Sequence, residues 1–166
     1  AALNQETWNV LDANDNVPSG MLSAARNGNT SLATMPSASI DADGNMYVVY
    51  SAPVEGTEHF LSANYRDVHI SYSTDGGDTW SDPQNITKEG DWECTFPCIS
   101  KVSDDFVHLI FQQDRTPGTN LQNHSPSSAT HPIDLNEIKY AAIPVSDILN
   151  DVLGQDISSV NGVDKK

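Results

Sequence analysis

Residues 68–73 alternate apolar and polar side chains, with Val68, Ile70 and Tyr72 on one side and His69, Ser71 and Ser73 on the other. That period of two predicts a half-buried strand. Thr74-Asp75-Gly76-Gly77-Asp78 follows and predicts a tight turn, because Asp75 can accept from backbone N–H groups and the two glycines tolerate positive φ. A second short strand is expected to leave at Thr79-Trp80, with the indole folded over the turn. Two denser runs, Met46-Tyr47-Val48-Val49-Tyr50 and Val107-His108-Leu109-Ile110-Phe111, predict strands covered on both faces. Val145, Ile148, Leu149, Val152 and Leu153 recur instead at helical spacing, which predicts one short helix capped near Ser146 and stopped at Gly154. Residues 1–31 hold one apolar cluster, Trp8, Val10 and Leu11, in a stretch punctuated by Pro and Gly, and residues 155–166 read as a polar tail.

The pattern repeats. Thr34-Met35-Pro36-Ser37-Ala38-Ser39 aligns with Thr95-Phe96-Pro97-Cys98-Ile99-Ser100 at a spacing of 61, and residues 46–50 fall on 107–111 at the same spacing. Val68-His69-Ile70-Ser71-Tyr72 aligns with Asn136-Glu137-Ile138-Lys139-Tyr140 at 68, so the second copy gains seven residues within the polar loop 114–135. After Tyr140 the glycine turn is replaced by Ala141-Ala142-Ile143-Pro144. Each unit reads strand, turn, strand, long loop, strand, hairpin, strand, which fits a four-stranded antiparallel sheet. The expected fold is all-β, with about two such sheets and one short C-terminal helix. Four segments result: an N-terminal strand and loop over 1–33 completing a neighbouring unit, the units 34–88 and 89–145, and a short helix and tail over 146–166.

Ser73, Asp75, Gly77, Thr79 and Trp80 spell S-x-D-x-G-x-T-W, and through them the chain resembles the Asp-box, or BNR repeat, of sialidases and other secreted β-propeller proteins. The resemblance is specific at 73–80 and diffuse over the rest of 34–143. It implies that the sheets are propeller blades and that these five residues are structural, in a hairpin on the outer side of a blade away from any active centre. It also implies an extracellular or periplasmic location. A propeller needs about four to eight blades. Two cannot close a ring, so the expected partners are the remaining blades of a longer chain or further copies of this one, a trimer being the simplest closure.

Charge narrows the partners further. Eight basic and 23 acidic side chains give a net charge of -15, which repels phosphate backbones and anionic bilayers, so neither nucleic acid nor membrane is expected as a partner. No run approaches the roughly twenty apolar residues of a membrane span. Cys94 and Cys98 lack further ligands at zinc spacing, and either a small disulfide around Pro97 or two free thiols fits the sequence.

A sialidase-like hydrolase would need an arginine cluster, a Tyr nucleophile with a Glu partner, and an acid Asp. The arginines are Arg26, Arg66 and Arg115, and Tyr65-Arg66-Asp67 alone sets a tyrosine, an arginine and an acid side by side, where an ordinary loop ion pair of Arg66 with Asp67 or another neighbour is the simpler reading. No complete catalytic set is present. Trp92 can stack on a sugar ring or pack between sheets. Tyr65, Arg66, Trp92 and Arg115 are therefore the candidate ligand-binding residues, with loops 53–66 and 114–135 as the contact surface. Asp41-Ala42-Asp43-Gly44-Asn45 lacks the Gly and Glu of a calcium loop and reads as a hairpin turn, so no metal site is assigned and calcium, if bound, has no location. His124 and His131 are a weak metal pair, and Asn29, Asn85 and Asn123 sit in glycosylation sequons. The function expected is a non-catalytic secreted module that binds carbohydrate or a partner protein. The alternatives are part of a sialidase-type glycoside hydrolase, and a structural surface or fibre subunit.

Overall fold

The structure, a computed structural model, describes residues 33–59, 63–117 and 135–153. Four antiparallel strands, β1 (Thr34–Ile40), β2 (Met46–His59), β3 (Ala63–Ser73) and β4 (Gln84–Asn85), form a first sheet in chain order. A second antiparallel sheet holds β5 (Glu93–Ile99), β6 (Phe106–Asp114) and β7 (Glu137–Pro144), three strands among the described residues. One helix, α1 (Val145–Leu149), follows directly. The Trp8 cluster and the 155–166 tail lie outside the described residues.

Local chemistry sets the joints. Between β1 and β2 the Asp41 carboxylate accepts from the Asp43 and Asn45 amides, the Asn45 side chain and the Tyr47 hydroxyl, and Gly44 supplies φ 86°. Burial pushes the Asp41 carboxyl up, but these donors outweigh it and hold it below its ordinary value. The turn is thus closed by the protein's own donors. In β1 the register slips between Thr34 and Ser37, with Met35 at φ 57°, and in β5 it slips between Thr95 and Cys98, with Phe96 at φ 53°. Positive φ is uncommon outside glycine, so the two Thr-x-Pro runs encode the same bulge, a position where a proline without an N–H costs the ladder nothing.

Pairing confirms the 61-residue spacing in the first two strands of each sheet: Ala38 pairs Val48 as Ile99 pairs Leu109, and Ser37 pairs Val49 as Cys98 pairs Ile110. The third strand differs from the sequence alignment. Val48 pairs Ser71 while Leu109 pairs Ala141, and Val49 pairs Ile70 while Ile110 pairs Tyr140, a spacing of 70 rather than 68. The second unit therefore gains nine residues, not seven. The shared Ile-x-Tyr drew the alignment two residues off, and an even slip leaves every side chain on its expected face.

The two sheets pack face to face. Tyr47, Val49, Val68 and Ile70 of the first meet Ile99, Val107, Leu109, Phe111, Ala141 and Ile143 of the second. Each of the valine, leucine, isoleucine and phenylalanine side chains among them contributes about 1.5–3 kcal/mol when fully buried. Polar pairs fix the seam: Ser39 and Ser103 share a 2.6 Å hydrogen bond, Ser51 donates to the Cys94 carbonyl at 2.8 Å, and the Ile99 amide donates to Ser37 Oγ at 3.2 Å. The expectation that 107–111 is covered on both faces does not hold: Val107, Leu109 and Phe111 are buried, while Ile110 lies on the open side. Helix α1 starts behind Pro144 with no side-chain cap, so Ser146 does not cap it, and it ends at Asn150, short of Gly154. Tyr72 and Gln84 of the first sheet donate to its last carbonyls, at Leu149 and Ile148, and Ile148 and Leu153 close the core.

The strand expected at Thr79-Trp80 is absent, because the Asp75 carboxylate holds that segment in the turn by accepting from the Thr79 amide at 2.9 Å and its hydroxyl at 2.5 Å. Ser73 Oγ donates to Asp75 at 2.7 Å and accepts from the Gly77 amide at 2.9 Å, while the Trp80 indole donates to the Gly77 carbonyl at 3.1 Å. Gly76 and Gly77 adopt φ 75° and 98°. Strand pairing resumes only at Gln84.

Hydrogen bonds from the Thr79 side chain and amide, then Ser73, pull the Asp75 carboxyl down from 3.8 to about 2. A depressed folded value means that the turn's stabilisation is complete above the unfolded carboxyl's pKa and is lost as pH falls through about 2. An acid titration followed at the Thr79 amide by NMR should have its midpoint near that value, and Asp75→Ala should abolish the transition and lower the melting temperature.

Candidate functional site

All four residues singled out from sequence converge where β2, β3, β5 and β6 end together, but in two layers. Arg66 and Glu93 form the inner layer, at 1% and 0% side-chain exposure. The Arg66 amide donates to Glu93 Oε2 at 2.7 Å, its Nε lies 3.9 Å from Oε1, and Nη1 reaches the Ser51 carbonyl at 3.5 Å. Burial pulls the Arg66 pKa down and the Glu93 charge opposes that pull. Of the ion pairs expected for Arg66, the one with Asp67 does not form, since neighbours on a strand point to opposite faces, and the partner is Glu93. Asp67 instead accepts from Asn85 Nδ2 at 2.7 Å, Thr87 Oγ1 at 2.6 Å and the Glu89 amide at 3.3 Å, and so pins the segment leading to β5. The sequon amide of Asn85 is engaged in that network.

The outer layer is Tyr65, Trp92, Arg115 and Asp91. The Arg115 guanidinium carbon sits 3.6 Å from the Trp92 ring centroid, and its Nη1 lies 2.8 Å from Asp91 Oδ2. Tyr65 donates its hydroxyl to the Arg115 carbonyl at 3.0 Å, which fixes where the arginine leaves β6. Burial and then the Asp91 charge push the Tyr65 phenol up, so it stays protonated and serves as a strut. Trp92 is half-buried and packs on the core, so it is both a wall of the corner and part of the seam. A planar cation stacked on an indole beside a carboxylate offers a flat face with paired donors and acceptors, which suits hydroxyl-rich or carboxylate ligands.

Sequence reasoning missed Asp91 and gave Glu93 no role. The readable signal for Glu93 was a charged residue opening an otherwise apolar and small strand next to Cys94. Much of the expected loop 53–66 is paired β2 and β3, with a bulge between Pro53 and Glu58 at which Gly56 takes φ 80°. Most of the loop 114–135, together with Arg26, Asn29, Asn123, His124 and His131, lies outside the described residues. Cys94 and Cys98 are free thiols on one extended strand, the first buried and the second exposed, too far apart along the strand to bridge. Burial and then the Asp67 charge push the Cys94 thiol up. No metal-binding cluster of His, Cys, Asp or Glu occurs among the described residues, and no helix there is long and apolar enough to cross a membrane.

Breaking a buried ion pair from one side is more damaging than replacing both partners. Glu93→Gln should lower stability by about 3–5 kcal/mol in urea unfolding, while the apolar pair Arg66→Met with Glu93→Leu should recover most of that loss. No protein-family model matches the chain, and no curated protein matches its sequence.

Proposed function

We propose that this chain is a non-catalytic β-propeller module of the Asp-box type, acting in an extracellular or periplasmic space, whose outer corner of Trp92, Arg115 and Asp91 binds a carbohydrate. The observation that carries the reading is the exposed Arg115 guanidinium, its carbon 3.6 Å from the Trp92 ring centroid, with the Asp91 carboxylate 2.8 Å away. Such a surface meets a sugar's C–H face and its hydroxyl or carboxylate groups together. Two further features support a binding role over hydrolysis. Arg66 is buried against Glu93, where a substrate carboxylate would have to displace a buried charge, and the Tyr65 hydroxyl is committed to a backbone carbonyl. The polar atoms of Ser73, Asp75 and Thr79 bond within their own turn, as a structural hairpin requires.

Titrating the protein with sialyllactose and with lactose, read by tryptophan fluorescence and by calorimetry, tests this directly. A saturable change with at least one sugar is expected, with Trp92→Ala and Arg115→Ala each weakening binding by about tenfold, the equivalent of about 1.4 kcal/mol. A fluorogenic sialoside should not be hydrolysed. Turnover that falls in Arg66→Ala, or binding indifferent to Trp92, would overturn the proposal.

A further inference from the structure

The repeat makes a comparison possible that neither sheet offers alone. The face of the first sheet that is buried against the second carries Val49, Val68 and Ile70, each at 0% exposure. Their counterparts in the second sheet, by strand pairing, are Ile110, Ile138 and Tyr140, at 47%, 69% and 64%. The same face of the same unit is sealed in one copy and bare in the other. Phe96, Phe106 and Cys98 are exposed at the margins of this bare face. Its two polar ring groups are turned on each other, with His108 Nδ1 and the Tyr140 hydroxyl hydrogen-bonded at 2.8 Å and the rings stacked. Its outward positions on β6 from Phe106 to Gln112, and on β7 from Ile138 to Pro144, hold no Asp, Glu, Lys or Arg, in a chain with 23 acidic side chains. A solvated face in so acidic a protein would carry charge, and an apolar patch of this kind marks a contact surface.

The internal seam shows what fits there. The second sheet covers the first with Ile99, Val107, Leu109 and Phe111, whose counterparts on the outer side of the first sheet are Ala38, Met46, Val48 and Tyr50. We infer that the bare face of the second sheet receives the outer face of the first sheet of another copy of this chain, in a head-to-tail contact that repeats the seam already present inside one molecule. Such a contact is heterologous, so each copy uses two different surfaces and the assembly propagates until a rotation closes it into a ring. Two, three or four copies would bring the sheet count to four, six or eight, the range in which stacked sheets close about an axis. The inference stands on the repeat and is independent of the sugar-binding reading.

Light scattering coupled to size-exclusion chromatography tests it on the full chain. The expected result is a discrete oligomer. Ile110→Asp, which blocks the bare face, and Ala38→Arg, at an exposed position of an outer face whose Met46, Val48 and Tyr50 are half-buried, should each give a monomer with unchanged near-ultraviolet circular dichroism. Mixing the two variants should yield a one-to-one dimer and nothing larger, because one intact surface of each kind remains. Ile138→Lys, on the edge strand, replaces Ile110→Asp if that variant unfolds. Cys98 provides a second readout, since maleimide labelling of this exposed thiol should be at least tenfold slower in the oligomer than in either monomeric variant. A monomeric wild type overturns the inference, and so does a monomer with a protected Cys98, in which the face would be covered by the same chain. Assembly that survives Ala38→Arg but not Ile110→Asp would make the contact symmetric and overturn the head-to-tail arrangement.

Discussion

Sheet-on-sheet packing governs this molecule. A sheet with an apolar face must cover it, and here the cover is a second sheet built from the same repeated pattern, so one seam serves both units. The seam contains more than hydrocarbon. Serine hydroxyls at Ser37, Ser39 and Ser51 reach across to β5 and its flanking segment, which sets the position of one sheet on the other where apolar contact alone would let it slide. A parallel bridge between Ile40 and Val102 stitches the same edge. From this fixed seam the ends of β2, β3, β5 and β6 come together, and with them the Arg66–Glu93 pair and the Trp92–Arg115 stack.

The buried ion pair and the stacked pair answer different needs. Arg66 and Glu93 are buried away from solvent, so their charges must be matched within the protein, at the cost of desolvating both. Arg115 and Asp91 are solvated, and their attraction alone is worth little. What places Arg115 is the indole beneath it and the Tyr65 hydroxyl on its carbonyl, so a buried floor carries an accessible cation.

Much of this was legible in the sequence wherever the determinant was local. The Asp41 and Asp75 turns follow from side chains acting within a few residues, and the Thr-x-Pro repeat marks both bulges because proline and its neighbours constrain the backbone directly. What depended on distant partners was not legible. The register of β7 is set by its ladder with β6 over a long connection, and an Ile-x-Tyr coincidence outweighed it in the alignment. Arg66 finds Glu93, 27 residues on, instead of the adjacent Asp67, because pleating separates neighbours and the seam unites strangers. Trp80 looks like a strand residue by propensity, yet the Asp75 carboxylate and the Gly77 carbonyl claim its segment first. The exposure of Ile110 could not be read either, since a central strand's apolar run does not reveal which of its faces lacks a neighbour.

The bulges at Met35 and Phe96 carry one more implication. Among the described residues β1 and β5 are the outermost strands of their sheets on one side, and each is kinked at a bulge whose next residue, Pro36 or Pro97, has no amide to offer, so neither presents the straight ladder of amides that recruits a foreign strand. On the opposite border of the first sheet β4 is only two residues long, and Asp67 ties down the backbone beyond it. On that of the second, β7 carries the Lys139–Glu137 ion pair. Sideways accretion into amyloid-like ribbons is thereby discouraged at each of these borders.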